Sequence, residues 1–63
     1  MKRLLLVEDD SILRRNYHKR LKDRFIVNLA VSLTDAIDQL SNIDFDIVLT
    51  DIHLTKAQKA EGL

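Results

Sequence analysis

Four carboxylates in this chain stand where apolar runs stop. Glu8, Asp9 and Asp10 follow Leu4-Leu5-Leu6-Val7, and Asp51 follows Ile47-Val48-Leu49-Thr50. Both runs have strand length, so the acids mark strand ends. In an open parallel sheet, ligands bind outside the carboxyl ends of the strands, where the strand order reverses. With the two runs as neighbours, three or four carboxylates converge on one small volume. Like charges that close repel, and the cluster calls for a cation or for protonation. Oxygen-only ligands suit a hard ion, and Mg²⁺ takes a few carboxylates while keeping waters for a phosphate. The plain alternative is that these acids are helix caps and turn residues. That alternative is weakest for Asp51, because an unpaired acid directly after Ile47-Val48-Leu49 has no packing reason to be there. Thiolate zinc sites are excluded because there is no Cys, and His18 and His53 are far from zinc-finger spacing.

The elements that must carry these acids follow from periodicity. Arg3 to Val7 is a short continuous apolar run, which predicts a strand over about 3–8 buried on both faces. Leu13, Tyr17 and Leu21 recur at i, i+4 and i+8 among Arg14, Arg15, Lys19, Arg20 and Lys22, predicting an amphipathic helix over 11–23 capped by Asp9, Asp10 or Ser11. Phe25 to Val31, rich in β-branched and aromatic residues, predicts a second strand. Ser32-Leu33-Thr34-Asp35 reads as a capping box opening a helix over 33–41, with Leu33, Ala36, Ile37 and Leu40 as its stripe. A third strand is expected over 46–50, and residues 52–63 form a polar tail that reads as the first turns of a third helix. Strand–helix–strand–helix–strand with short connections implies parallel strands and right-handed crossovers. The fold class is therefore α/β: one βαβαβ half of a doubly wound sheet, with the two acidic strand ends adjacent if the order is 2-1-3.

Composition sets the outer bounds. The 63 residues are 46 % hydrophobic and 32 % charged, the balance of a globular domain and not of a disordered one. A chain this short buries only ~60 % of its unfolded surface, so it makes one domain with a marginal core. No apolar run approaches the ~20 residues of a membrane span, and the N-terminal apolar stretch is too short for a signal peptide. A cytoplasmic location is expected. Ten basic and ten acidic side chains cancel, but residues 1–24 carry eight basic and four acidic groups and residues 25–63 carry two and six. That balance predicts no direct nucleic-acid binding.

The acidic runs carry a resemblance. Leu4-Leu5-Leu6-Val7-Glu8-Asp9-Asp10 and Asp46-Ile47-Val48-Leu49-Thr50-Asp51-Ile52-His53-Leu54, at this separation and with two amphipathic helices between them, resemble the first and third strands of receiver domains of two-component response regulators. The resemblance implies a flavodoxin-like sheet of order 2-1-3-4-5, of which this chain spans the first half. It implies that Asp51 is the phosphoacceptor, taking a phosphoryl group from a histidine kinase or phosphotransfer protein. It implies that Glu8 and Asp9 hold Mg²⁺, Asp9 the more directly, and that the backbone carbonyl of His53 ligates the same ion. Asp10 is a further candidate ligand, with the helix cap as its preferred role. A phosphoacceptor module of this kind is not an enzyme in its own right.

The sequence also departs from that family. Receiver domains are about twice as long, and the hydroxyl residue after the fourth strand and the Lys after the fifth have no counterpart in these 63 residues. Both convert phosphorylation into a conformational switch in the family. Pro and Gly, common after the acceptor there, are replaced by Thr55-Lys56-Ala57-Gln58-Lys59-Ala60-Glu61 before Gly62-Leu63. The expectation is a truncated piece of a response regulator, the alternative a stand-alone half-domain serving interaction and self-association. Either leaves the third-strand edge unpaired, which predicts a homodimer through that edge or by swapped elements. A haloacid-dehalogenase-like phosphatase also has an Asp nucleophile after an apolar strand. It wants a second acid two residues later, where this chain has His53, and it leaves Glu8 and Asp9 unexplained. The basic helix offers a third role, contact with an acidic partner or with phosphates.

Overall fold

A computed structural model describes residues 1–50; residues 51–63 lie outside the described residues. Five elements follow one another: β1 (Arg3–Val7), α1 (Ser11–Leu21), β2 (Ile26–Ala30), α2 (Leu33–Asn42) and β3 (Ile47–Thr50). The three strands form one parallel sheet in the order β2-β1-β3. The chain leaves β1 for β2 on one side and returns across β1 to β3 on the other. Crossovers of the same hand then put α1 and α2 on opposite faces of the sheet. As the central strand covered on both faces, β1 buries Leu4, Leu5, Leu6 and Val7, as its unbroken apolar run predicts.

The core lies on the α2 side, where Leu5 and Val7 of β1 meet Ala30 of β2 and Ala36 of α2, with Phe45 packed against them. Small residues at 30 and 36 let helix and sheet approach. Polar groups fix the same contact: the Gln39 amide nitrogen donates to the Leu29 carbonyl (2.9 Å) and to Asp35 Oδ1 (3.3 Å), and Asn28 donates to Gln39 Oε1 (3.4 Å). Only Ala36 of the expected α2 stripe is buried; Leu33, Ile37 and Leu40 stay exposed. A narrow three-stranded sheet covers one line of the helix, and the flanking apolar residues reach past it.

Element ends differ from the sequence expectation by one or two residues. The first strand stops at Val7 and not at residue 8, although the Glu8 N–H still donates to the Ala30 carbonyl (3.0 Å). Helix α1 ends at Leu21 and not at 23, because the Arg24 and Phe25 N–H groups both turn back to the Leu21 carbonyl. That commits Phe25 to the turn, and β2 starts at Ile26. It ends at Ala30 because the Val31 N–H goes to Asp35 Oδ2 (3.0 Å). The Ser32 hydroxyl accepts from the Asp35 N–H as the predicted box requires, while the Asp35 carboxylate reaches the Val31 N–H, one residue further back than expected. Helix α2 runs on to Asn42, its last turn supported by Ser41 and Asn42 side chains donating to the Ile37 and Asp38 carbonyls. Asp46 precedes β3 and brackets the start of β1: its N–H donates to the Arg3 carbonyl and its Oδ2 accepts from the Arg3 N–H, both at 2.8 Å. No helix among the described residues is long and apolar enough to cross a membrane.

Candidate functional site

The acidic end of the sheet is built from the strand register. In the β1–β3 ladder Leu4 pairs with Ile47 and Val7 with Thr50, so the two strands end level and side by side. From β1 the chain continues into Glu8-Asp9-Asp10. From β3 it continues into Asp51, which lies outside the described residues together with His53.

Glu8 is the unusual group. It is 1 % exposed, the one buried charged or polar residue among those described. Its Oε2 accepts a hydrogen bond from the Asp10 N–H (3.1 Å), while Oε1 is buried with no hydrogen-bond partner among the described residues. An unsatisfied buried acceptor costs about 1–3 kcal/mol, more when charged. A carboxylate oxygen left bare beside its own strand end is suited to a cation, which satisfies it without a proton donor. Asp9 next to it is exposed and free of that constraint. Among the described residues no group of three or more Asp, Glu, His or Cys side chains is close enough to hold a metal ion, and the other candidates of the sequence, Asp51 and His53, lie outside the described residues.

Asp10 has a different role. Its Oδ1 accepts from the Ile12 N–H (2.9 Å) and the Leu13 N–H (3.0 Å), with its backbone extended at φ −82°, ψ 120°, which makes it the N-cap of α1. Of the three caps the sequence allows, Asp9, Asp10 and Ser11, the structure selects the second. Replacing Asp10 with Ala should lower stability by about 1 kcal/mol, the usual loss for an N-cap carboxylate. The check is the urea midpoint, compared with that of Asp9→Ala, which should scarcely move it.

Arg14 is a residue whose part the sequence does not disclose. It reads there as one of five solvated bases, yet its Nη1 donates to the Glu8 carbonyl at 2.9 Å and ties α1 to the end of β1. The only available signal is its distance from Glu8, under two helical turns into α1, and no pattern marks it.

Comparison with family models, curated proteins and solved structures returned no match to this chain. What the fold defines by itself is a small α/β unit with a parallel 2-1-3 sheet and an acidic strand end.

Proposed function

We propose that this chain is the phosphoacceptor part of a two-component response regulator, the first half of a flavodoxin-like receiver fold, which takes a phosphoryl group from a histidine kinase onto Asp51. The observation that carries this reading is the buried Glu8 carboxylate, with one bare oxygen, at the end of a central strand whose neighbour ends level with it and leads into Asp51. In the transfer, an Asp51 carboxylate oxygen attacks phosphorus, and the P–N bond of the donor's phosphohistidine breaks with its electron pair returning to the imidazole. Glu8 and Asp9, with Asp51 and the His53 carbonyl, are the residues that would hold Mg²⁺. That ion would offset the repulsion between the Asp51 carboxylate and the incoming phosphoryl oxygens. Asp10 contributes by holding α1 in place, and Arg14 by fixing the Glu8 backbone. The module itself turns over nothing and works in the cytoplasm with its kinase. The test is transfer from a radiolabelled phosphohistidine donor: label should pass to the chain with Mg²⁺ present, and Asp51→Asn should abolish the passage. Label retained by the donor, with the chain shown to be folded, overturns the proposal.

A second reading is favoured by the outer side of β3. Ile47-Val48-Leu49-Thr50 carries no charge and no Pro, Val48 and Leu49 are 46 % and 40 % exposed, and β3 pairs on one side alone among the described residues. An apolar edge without such guards is a template for another strand. Self-association through this edge, or by exchange of elements, should raise the light-scattering mass from one chain toward two with concentration. A mass that stays at one chain across the range overturns it.

A further inference from the structure

We propose that the groove between α1 and β2 binds the phosphate group of a small phosphomonoester. This inference does not rest on the phosphoacceptor reading. The groove holds about 240 Å³ and is lined by Ser11, Arg14, Arg15, His18 and Leu29. Its polar lining consists of a hydroxyl, two guanidinium groups and an imidazole, all able to donate, and no carboxylate lines it among the described residues.

Three features make this more than a solvated basic face. Arg14 is half-buried and held by its bond to the Glu8 carbonyl, so one guanidinium is already oriented before any ligand arrives. Helix α1 contains Arg14, Arg15, Lys19 and Arg20 and no acid, which places like charges at i, i+4 for Arg15 and Lys19. Bases in the last turn suit the helix dipole, but Arg14 and Arg15 stand in the N-terminal half, where the dipole gives them nothing. A bound anion relieves both. The site does not draw on the helix N-terminus, because the Ile12 and Leu13 N–H groups are taken by Asp10.

Charge and size select the ligand. Two guanidinium groups offset the two charges of a phosphomonoester, and its three terminal oxygens offer the four polar side chains more acceptors than the two of a carboxylate. The volume falls below the ~300–1,000 Å³ of drug-sized pockets and suits a phosphate with a few carbons. Leu29 gives those carbons an apolar wall.

The test is an amide NMR titration of the whole chain with glycerol 3-phosphate, run beside NaCl at matched ionic strength. The expected result is saturable shifts at Ser11, Arg15, His18 and Leu29. Arg15→Gln and His18→Gln should each weaken binding about threefold to tenfold, where tenfold corresponds to about 1.4 kcal/mol. Arg15 is exposed, so its variant should keep the wild-type spectrum elsewhere, and His18→Gln provides the independent second variant. Shifts that NaCl reproduces, that spread evenly over Lys2, Lys19, Arg20 and Lys22, or that survive both substitutions overturn the site. A phosphoserine peptide binding at least tenfold more tightly overturns the assignment to a small molecule.

Discussion

Incubated with Mg²⁺ and a small acyl phosphate, the chain should gain one phosphoryl group, seen as a single adduct by intact-mass spectrometry, and Asp51→Asn should gain none. The substitution keeps size and polarity and removes the anionic oxygen that attacks phosphorus, so the loss is to background. Chelating the metal should have the same effect, because without a cation the nucleophile and phosphodonor repel each other at close range. Glu8→Gln separates the roles further. Glu8 is buried, and Gln fills nearly the same space, so the fold should persist while the site loses the carboxylate that carries the bare oxygen. Labelling should then fall by about 10–100-fold, the range seen when groups supporting a bound metal are removed. An adduct that forms equally on Asp51→Asn places the reaction elsewhere and ends the phosphoacceptor reading. An adduct insensitive to Glu8→Gln removes the bare oxygen from the argument.

The second large effect concerns the sheet itself. Leu6→Ala should leave the chain mostly unfolded at 25 °C, with far-UV circular dichroism lost and no cooperative urea transition. Leu6 is fully buried in β1, between β2 and β3. Truncating a buried Leu to Ala costs about 2–5 kcal/mol, the spread depending on how far the site collapses. A core of this size supplies only ~3–5 kcal/mol in total, so the substitution consumes most or all of it. Leu29→Ala is the control. Leu29 stands beside Leu6 in the ladder, but on an edge strand and over a third exposed, and its loss should leave a folded chain. A folded Leu6→Ala variant with a transition near that of the wild type would mean that the stability lies elsewhere than in β1.

The order of elements was legible in the sequence because each apolar run has a period of its own. Leu4 to Val7 are apolar at every position and proved to be the central strand, while Leu13, Tyr17 and Leu21 share one half-buried side of α1. The order 2-1-3 came from the resemblance carried by the two acidic runs, because alternation and crossover handedness fix parallel strands and leave their order open. Periodicity could not say how much of a face is covered. It groups Leu33, Ala36, Ile37 and Leu40, and only the width of the sheet decides that Ala36 alone is buried. Nor does a pattern announce Gln39, a polar side chain on α2 whose amide reaches a carbonyl of β2, or Arg14 at the Glu8 carbonyl. Both are single long side chains that find a backbone acceptor in three dimensions. Of the candidate site, the sequence placed Glu8 correctly at a strand end, but the burial of its carboxylate depends on what packs around it. Asp51 and His53 lie outside the described residues, so their roles stand on the resemblance and on the register of β3.

Helices α1 and α2 flank the sheet from opposite sides, and they carry opposite charge: four bases and no acid on one, Asp35 and Asp38 and no base on the other. Packed layers stand about 10 Å apart, so the two helix axes are separated by roughly 20 Å. At physiological ionic strength the screening length is about 8 Å. In solvent the field of each helix dies away within about one screening length of its own side, and a formal net charge of zero describes neither side. Among the described residues the two helical layers present opposite signs, positive on the α1 side and negative on the α2 side. A charged molecule nearing one helix therefore meets that helix's sign and not the average of the chain.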